Sequence, residues 1–370
     1  MTTFDMVVVG SGGGPDETNL SAYLFKPASA QWEDGIIALE AGSGIGALSH
    51  LIHRDPRLFD PLVVDGTARA YSASEIYSYV RCFLISHAHL DHISGLILSA
   101  GSLGGLRKRI YATKQSLQDL ETIFSDRIWP NLASWNEEDG DFKLLYKTLY
   151  TDNKYVNVYP DVSVRTMHLN HGHNELGNYE SAAFFIRHDP TSREFLFFGD
   201  VEPDSISAKP QSINVWRAAA PKIPDTLSTI FIECSWPSGR RDELLYGHLS
   251  PEHLVDELAV LAKEIVKIKQ EEKSVSRSRP ARKRQKKNHA SVDELRGALN
   301  GVRIFIIHCK DDNTASPEER PCDVILQQVR GLVEGKELGA EILGAQQGMR
   351  IRKFSVLVRV SALIQPLTEI

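Results

Sequence analysis

The chain has 370 residues, of which 42% are hydrophobic and 24% are charged, the proportions of a soluble globular protein. Its formal net charge of −6 argues against a general nucleic-acid-binding protein, because such proteins carry an excess of lysine and arginine. No run of 18 apolar residues indicates a membrane span, and no basic and then apolar stretch at the N-terminus indicates secretion. We therefore expect a cytoplasmic protein whose four cysteines are reduced.

The first 80 residues predict the start of a β-sheet. Apolar runs at 5–9, 20–25 and 35–40 are separated by short segments that contain glycine, which favours antiparallel strands. Residues 45–80 predict a helix followed by a variable connection.

A histidine-rich segment at residues 86–92 then predicts a metal site. It reads SHAHLDH and follows an apolar run at 80–85 that predicts a buried strand. Ligands on a loop behind a rigid strand are held in fixed positions, and imidazole with carboxylate suits zinc and similar divalent ions. In this spacing His87 and His89 can reach one metal, while Asp91 and His92 can point to a second, roughly 3.5–4 Å away.

The remainder of the chain alternates short strands with helices, which predicts a mixed α/β fold. Strands are expected at 109–112, 162–168, 181–187, 194–198, 228–232 and 302–307, and helices at 94–99, 114–128, 251–269 and 324–332. No internal repeat is visible, so we expect a single domain over residues 1–370.

A basic segment at 270–290 is predicted to be a disordered insertion within that domain. It has dense positive charge and almost no apolar side chains, so it cannot bury enough surface to offset the entropy of ordering. Two interpretations stay open for it. It could bind an acidic partner or a nuclear-import receptor, which would add the nucleus to the expected locations, or it could be a solvated loop without a partner.

A centre with two metals needs ligands from other parts of the chain. His171, Asp200 and His308 each follow a predicted strand, and the carboxyl ends of strands collect the active-site residues of α/β sheets. Asp200, which follows Phe-Phe-Gly, is the predicted bridging carboxylate. The predicted metal ligands are therefore His87, His89, Asp91, His92, His171, Asp200 and His308.

These residues and their neighbours resemble the metallo-β-lactamase superfamily and, within it, the class II cyclic-nucleotide phosphodiesterases of fungi. The matching segments are GGPDE at 13–17, HAHLDHISG at 87–95, IWPNL at 128–132, GDVE at 199–202, ECS at 233–235 and GHLSP at 247–251. The resemblance implies an αββα sandwich, in which two mixed β-sheets are flanked by helices. It also implies two divalent ions, with zinc as the first expectation and manganese or iron as alternatives.

One position departs from the superfamily pattern. Many members have Asp-x-Gly where this chain has Glu40-Ala41-Gly42. The carboxylate at this position usually supports the loop of metal ligands, and glutamate is one methylene longer than aspartate. The role of Glu40 is therefore open.

The implied activity is metal-dependent hydrolysis of 3′,5′-cyclic nucleotides, cAMP and also cGMP, to nucleoside 5′-monophosphates, which lowers cyclic-nucleotide signalling. Two bridged metals lower the pKa of a bound water, and the resulting hydroxide would attack phosphorus opposite O3′. His248 is the predicted proton donor to O3′, with Glu233 beside it to raise its pKa and fix its tautomer. Asp91 completes the predicted catalytic set.

Substrate recognition is weakly marked in the sequence. Trp129 and Trp236 are candidates for stacking on a purine, against the alternative that they pack in the core or under a loop. His173 is a candidate substrate contact, and Asn19 is one by resemblance alone. The resemblance is also compatible with a homodimer.

Other members of the superfamily are the alternative interpretation. An RNA-processing nuclease would need a basic track, which the sequence outside 270–290 does not offer. A lactonase or thioesterase would give no reason for the pair Glu233 and His248. A dinucleotide-binding fold is disfavoured, because Pro15 stands at the third glycine position of the fingerprint.

Overall fold

Two large mixed β-sheets, a two-stranded sheet, eight α-helices and four short 3-10 helices make up the computed structural model, which describes residues 2–64, 66–175, 177–276, 292–310 and 320–352. The strands are β1 (Phe4–Gly10), β2 (Ala22–Pro27), β3 (Ile36–Leu39), β4 (Leu62–Val64), β5 (Thr67–Arg69), β6 (Val80–Leu84), β7 (Lys108–Ala112), β8 (Ala133–Ser134), β9 (Leu144–Thr148), β10 (Val156–Tyr159), β11 (Val162–Asn174), β12 (Gly177–His188), β13 (Arg193–Phe198), β14 (Leu227–Glu233), β15 (Arg303–Ile307), β16 (Glu341–Gly344) and β17 (Arg350–Ile351). The helices are α1 (Ile45–Arg54), α2 (Ala73–Tyr79), α3 (Leu90–Ser99), α4 (Lys114–Ile123), α5 (Ser212–Ala219), α6 (Pro251–Ser276), α7 (Val292–Leu295) and α8 (Pro321–Gly335).

Each of the two large sheets combines antiparallel and parallel strands. The first has the order β17-β1-β2-β3-β6-β7-β9-β8, and the second has the order β10-β11-β12-β13-β14-β15-β16. The strands β1, β2 and β3 pair antiparallel, as the glycine-rich turns predicted. In the second sheet β13, β14 and β15 are parallel neighbours, so their carboxyl ends lie side by side.

Apolar side chains on both faces of the strands are buried, and this burial creates the layers of the fold. In β1 the side chains of Phe4 and Met6 join an apolar cluster with Phe184 and Phe195 of the second sheet, while Val7 joins a cluster with helices α1 to α4. A third cluster packs α5, α6 and α8 on the other face of the second sheet. The layers are therefore helix, sheet, sheet and helix, which confirms the predicted αββα sandwich.

Aromatic rings fix the two sheets against each other. Phe4 lies 5.2 Å from Phe195, and Tyr23 lies 5.4 Å from Phe197, measured between ring centroids with the rings edge to face. All four side chains are almost fully buried. Such pairs add to the burial of their apolar surface, so the relative position of the sheets is well determined.

The start of α3 is locked onto the loop that follows β3. The amide N–H of Ala41 donates to the carbonyl of His92 at 2.7 Å, and that of Gly95 donates to the carbonyl of Gly42 at 2.8 Å. A Cβ atom on Gly42 would lie 2.0 Å from the carbonyl oxygen of Asp91, so only glycine allows this approach. The backbone at the first turn of α3 is therefore held from two sides.

Several predicted boundaries differ from the structure. Helix α3 begins at Leu90 rather than at residue 94, and α4 ends at Ile123 rather than at residue 128. The connection predicted within 45–80 contains a hairpin of β4 and β5 and a second helix, α2, which a capping box between Ser72 and Glu75 begins.

The predicted disordered segment at 270–290 needs a correction at its start. Helix α6 continues through Ser276, because residues 270–276 include glutamate and lysine side chains that favour a helix. Residues 277–290 of the predicted segment lie outside the described residues. Within the described part of the chain, the helices are too short or too polar to cross a membrane.

Candidate metal centre

Histidine and carboxylate side chains from separate segments meet at one end of the two sheets. The segments are the loop after β6, the first turn of α3, the end of β11, the loop before α6, and the residues that end or follow β13, β14 and β15. Except for His89 and Asp91, which are half-buried, these side chains are buried. The residues brought together are His87, His89, Asp91, His92, His171, Asp200, Glu233, His248 and His308.

Asp200 lies at the middle of this group. Its Oδ2 atom is 3.3 Å from Nε2 of His92 and of His308, 3.6 Å from Nε2 of His171 and 3.7 Å from Nε2 of His87. Two ligands bound at 2.0–2.1 Å to one tetrahedral zinc ion lie about 3.3 Å apart. The separations therefore match those of ligand atoms that share cations.

The group divides into two sets of ligands that have Asp200 in common. Within each set, one nitrogen or oxygen atom of each residue lies within 4.8 Å of the corresponding atoms of the others. The first set is His87, His89, His171 and Asp200, and the second is Asp91, His92, Asp200 and His308. The structure thus brings all seven predicted ligand residues together and gives Asp200 a position between the sets.

Contacts to the Nδ1 atoms of two histidine rings orient the Nε2 atoms of those rings toward Asp200. Nδ1 of His171 donates to the carbonyl of Gly247 at 2.8 Å, and Nδ1 of His87 lies 2.9 Å from Oγ of Ser86. By contrast, Nε2 of His87 and Oδ2 of Asp200 are buried and have no hydrogen-bond partner among the described residues. Buried polar atoms without partners are costly, and a bound cation would satisfy both of these.

The electrostatics of the centre favour neutral rings in the first set. Burial lowers the pKa of His87, His89 and His171, to about 3 for His171. A neutral imidazole is the form that binds a metal ion.

The carboxylates of the centre are charged. Burial alone would raise the pKa of Asp200, but the neighbouring His308 and His92 outweigh burial and hold that pKa well below its ordinary value. Asp91 shows the same balance, with His92 and His308 lowering its pKa. In the first set an anionic oxygen therefore faces neutral nitrogens, which is the donor set expected for a divalent ion. In the second set burial opposes the charge of His92, but Asp200 and Asp91 outweigh burial and raise the pKa of His92 well above its ordinary value.

Glu40 contacts His92, a residue of the second ligand set. Its Oε2 lies 3.4 Å from Nδ1 of His92, and its Oε1 accepts the backbone N–H of Ser86 at 3.1 Å. The residue is buried and has a positive φ of 55°. This side chain therefore links the histidine-rich loop to the ring of His92, which answers the question that the sequence left open.

Glu233 and His248 form a pair beside Asp200. Nδ1 of His248 lies 2.9 Å from Oε1 of Glu233 and 3.8 Å from Oδ2 of Asp200. Glu233 also accepts from the backbone N–H of Val201 at 2.9 Å and from Oγ of Ser235 at 2.6 Å. Burial opposes the charge on Glu233, but His248 outweighs it and lowers the pKa of Glu233. Because Nδ1 faces Glu233, Nε2 is the nitrogen of His248 that can serve a substrate.

The four predicted substrate contacts have different surroundings. Oδ1 of Asn19 accepts from the backbone N–H of Ser11 at 3.0 Å, at the wall of a cavity of about 520 Å³. Trp236 is buried, and the guanidinium of Arg240 lies 3.6 Å from its ring. These two side chains therefore hold local structure in addition to any contact with substrate.

The other two substrate candidates differ in exposure. Trp129 packs at the edge of the apolar cluster of the first sheet, whereas His173 is exposed on β11 opposite Asn178. Of the four, His173 is the side chain that the fold leaves open to solvent. The substrate role of all four stays a prediction.

Lys310 is a residue of the centre that the sequence did not reveal. Its Nζ lies 3.7 Å from Oδ2 of Asp91 and donates to the carbonyl of Gly13 at 2.9 Å. A Cβ atom on Gly13 would lie 2.5 Å from Cε1 of His308, so the glycine-rich segment must pass directly over that ring. The only sequence signal for Lys310 is its place two residues after His308.

The fold and the site together define a hydrolase of the metallo-β-lactamase fold. The structure matches a crystal structure of unliganded yeast PDE1, with a TM-score of 0.75 over 95% of this chain and 99% of the other at 23% identity. It also matches the short form of human tRNase Z, with a TM-score of 0.50 over 95% of this chain and 100% of the other at 12% identity.

Sequence comparison gives the family. Residues 59–348 match the family described as cAMP phosphodiesterases class-II. A 3′,5′-cyclic-nucleotide phosphodiesterase of Schizosaccharomyces pombe is 32% identical over 275 residues, which cover 70% of this chain and 75% of the relative. The 3′,5′-cyclic-nucleotide phosphodiesterase 1 of Saccharomyces cerevisiae is 25% identical over 92% of this chain and 96% of its own length. The chain belongs to the class II cAMP phosphodiesterase family, which confirms the resemblance and implies binding of divalent metal.

Replacement of Glu40 tests its contact with His92. We expect Glu40→Gln to weaken binding of Zn²⁺ to the second ligand set by roughly 10- to 100-fold, because the ring of His92 loses the charged group that orients it. Competition with a zinc-binding dye measures the affinity. Glu257→Gln is the matched control, since Glu257 is also buried but its oxygens accept from Trp216 and from the backbone of Asp204. Equal zinc affinity in the folded Glu40→Gln variant and the wild type would contradict this role.

Proposed function

We propose that the protein hydrolyses 3′,5′-cyclic AMP, and also cyclic GMP, to nucleoside 5′-monophosphates and so lowers cyclic-nucleotide signalling. The observation that carries the proposal is the position of Asp200 between two ligand sets, with the pair of Glu233 and His248 beside it. The names of the relatives from the two yeasts support the choice of substrate.

The two ligand sets would hold two divalent ions, and zinc is our first choice because the donors are imidazole and carboxylate. When bound, such ions supply an activated water and neutralise charge on phosphoryl oxygens. Manganese and iron are the alternatives that the same donors accept. Asp200 belongs to both ligand sets and would contribute to the binding of both ions.

His248 is the proposed proton donor to the leaving O3′ atom. A sugar oxyanion is a poor leaving group, so protonation of O3′ as the P–O bond breaks accelerates the reaction. Glu233 holds Nδ1 of the ring at 2.9 Å and is itself held by Val201 and Ser235. The ring is thereby kept in one orientation, with Nε2 directed away from Glu233.

Lys310 and Asp91 are proposed to act on the phosphate at the second ligand set. The ammonium group of Lys310 lies beside Asp91 and is held by the carbonyl of Gly13. A fixed positive charge at this position stabilises the charge that develops on a phosphoryl oxygen. Asp91 in turn keeps the ammonium group at the edge of the centre.

Two further predictions are a cytoplasmic location and a homodimer. The location rests on the sequence, with the nucleus added if the basic segment binds an import receptor, and the homodimer rests on the family resemblance. The proposed substrate does not include nucleic acid, in agreement with the net charge of −6.

The direct test of the proposed function is an assay of purified protein with cAMP and with cGMP. We expect 5′-AMP and 5′-GMP as products, loss of activity after treatment with a chelator, and recovery on addition of Zn²⁺. Chromatography of the products distinguishes the 5′- from the 3′-monophosphate. Protein that holds two metal ions per chain and leaves both cyclic nucleotides intact would refute the proposal.

A second test concerns His248. We expect His248→Ala to lower kcat for cAMP by roughly 10²- to 10⁴-fold, with unchanged metal content, because O3′ then leaves without a proton. Hydrolysis of bis(4-nitrophenyl) phosphate should fall much less, because 4-nitrophenolate leaves readily without protonation.

His253→Ala is the matched control for this variant. His253 lies on α6 and contacts Ser250 and Asp242, and it is not part of either ligand set. The control should retain the wild-type kcat. Loss of metal in His248→Ala, or an equal loss on both substrates, would show that His248 does not act as the proton donor.

A further inference from the structure

Tyr179 is a large aromatic side chain at the edge of the metal centre that no step of the proposed reaction uses. It lies near the start of β12 and is 41% exposed. The centroid of its ring is 5.3 Å from that of His89, with the rings inclined by 70°, and 6.5 Å from that of His171. Both histidines belong to the first ligand set, so Tyr179 borders that set on its open side.

The β-hairpin that carries Tyr179 also carries His171. In the register of β11 and β12, His173 pairs with Asn178 and Asn170 pairs with Glu180. The register shifts between these two pairs, where Gly172 has a φ of +84°, so two residues of β11 bulge opposite Tyr179. One of the two is His171. Tyr179 is therefore fixed relative to a ligand of the centre by the backbone of the sheet, not by a mobile loop.

The two sides of the centre differ in chemical character. Next to the first ligand set, Tyr246 precedes Gly247, whose carbonyl accepts from His171, and Tyr246 is 65% exposed. At the second set, the neighbour is the ammonium group of Lys310. The first set is therefore bordered by exposed tyrosine side chains, and the second set is bordered by positive charge.

A cyclic nucleotide likewise has one charged part and one aromatic part. Its phosphate is anionic, and its purine is a flat apolar ring with two faces. We propose that Tyr179 stacks on the purine base of the cyclic nucleotide and so places the nucleoside on the side of His89 and His171. This proposal rests on the proposed function, because it assigns the base of that substrate to a side chain of the same site. Stacking of a base on an aromatic ring does not depend on which purine is present, which agrees with the proposal of both cAMP and cGMP as substrates.

Stacking of the base on Tyr179 predicts that loss of the ring changes KM and not kcat. Tyr179→Ala should raise KM for cAMP by roughly 5- to 150-fold, the range for loss of one aromatic–base stack, and should leave kcat within about threefold of wild type. Tyr179→Phe keeps the ring and should keep the wild-type KM. Tyr150→Ala is the matched control, since Tyr150 is 67% exposed and lies in the loop after β9.

A substrate without a base separates stacking from other effects. With methyl riboside 3′,5′-cyclic phosphate, wild type and Tyr179→Ala should have the same kcat/KM, because neither can stack a base. Metal content, measured by elemental analysis, should be equal in all variants. This pattern would show that Tyr179 acts on the base and not through His89 or His171.

Each other outcome overturns the inference in a recognisable way. An unchanged KM for cAMP in Tyr179→Ala, while wild type hydrolyses cAMP, removes the stacking role and leaves the proposed function intact. An equal loss on the substrate without a base, or a loss of metal, assigns Tyr179 a structural role. Wild-type protein that does not hydrolyse cAMP refutes the proposed function and this inference together.

Discussion

The arrangement of this protein depends on one buried carboxylate. Oδ2 of Asp200 lies within 3.7 Å of the Nε2 atoms of His87, His92, His171 and His308, and the residue is almost fully buried. A buried charge is expensive unless other groups compensate it, so the fold must bring compensating groups to this point from distant parts of the chain. The parallel strands β13, β14 and β15 do this directly, because Asp200, Glu233 and His308 stand at three neighbouring strand ends.

The remaining contacts hold the imidazole rings in place around that carboxylate. Ser86, Ser235 and the carbonyl of Gly247 each contact the Nδ1 atom of one ring, and Glu40 lies behind another. The aromatic core between the sheets keeps the loop after β6 opposite the strand ends of the second sheet. The packing of the two sheets therefore positions the segments that carry the ligands, and the contacts to the rings then set the orientation of single nitrogen atoms.

Much of the centre could be predicted from the sequence because its signals are local. The run at 80–85 is apolar and continuous, and the ligands follow it at a spacing that metals require. Asp200 and His308 likewise end apolar runs. The apolar periodicity predicts the start of α3 four residues late, because the polar ligands in its first turn interrupt that periodicity.

Other features could not be predicted because they depend on contacts between remote segments. Residues 169–180 are mostly polar and show no clear alternation, so the extended hairpin of β11 and β12, and with it Tyr179, left no strand signal. Lys310 gains its meaning from Gly13 and Asp91, which lie about 300 and 220 residues away in sequence, as the hydrogen bond and ion pair show. The contact of Glu40 with the ring of His92 likewise joins two segments that are remote in sequence.

The most direct measurement of the central claim is the location of metal by anomalous X-ray scattering. Crystals of protein loaded with Zn²⁺ would be measured at energies just above and below the zinc absorption edge. A centre of two metal ions joined by Asp200 predicts two anomalous peaks per chain, one beside His87 and His89 and the other beside Asp91 and His308, with the carboxylate of Asp200 in contact with both. A single peak in protein that hydrolyses cAMP at its full rate, or two peaks that Asp200 does not join, would contradict it.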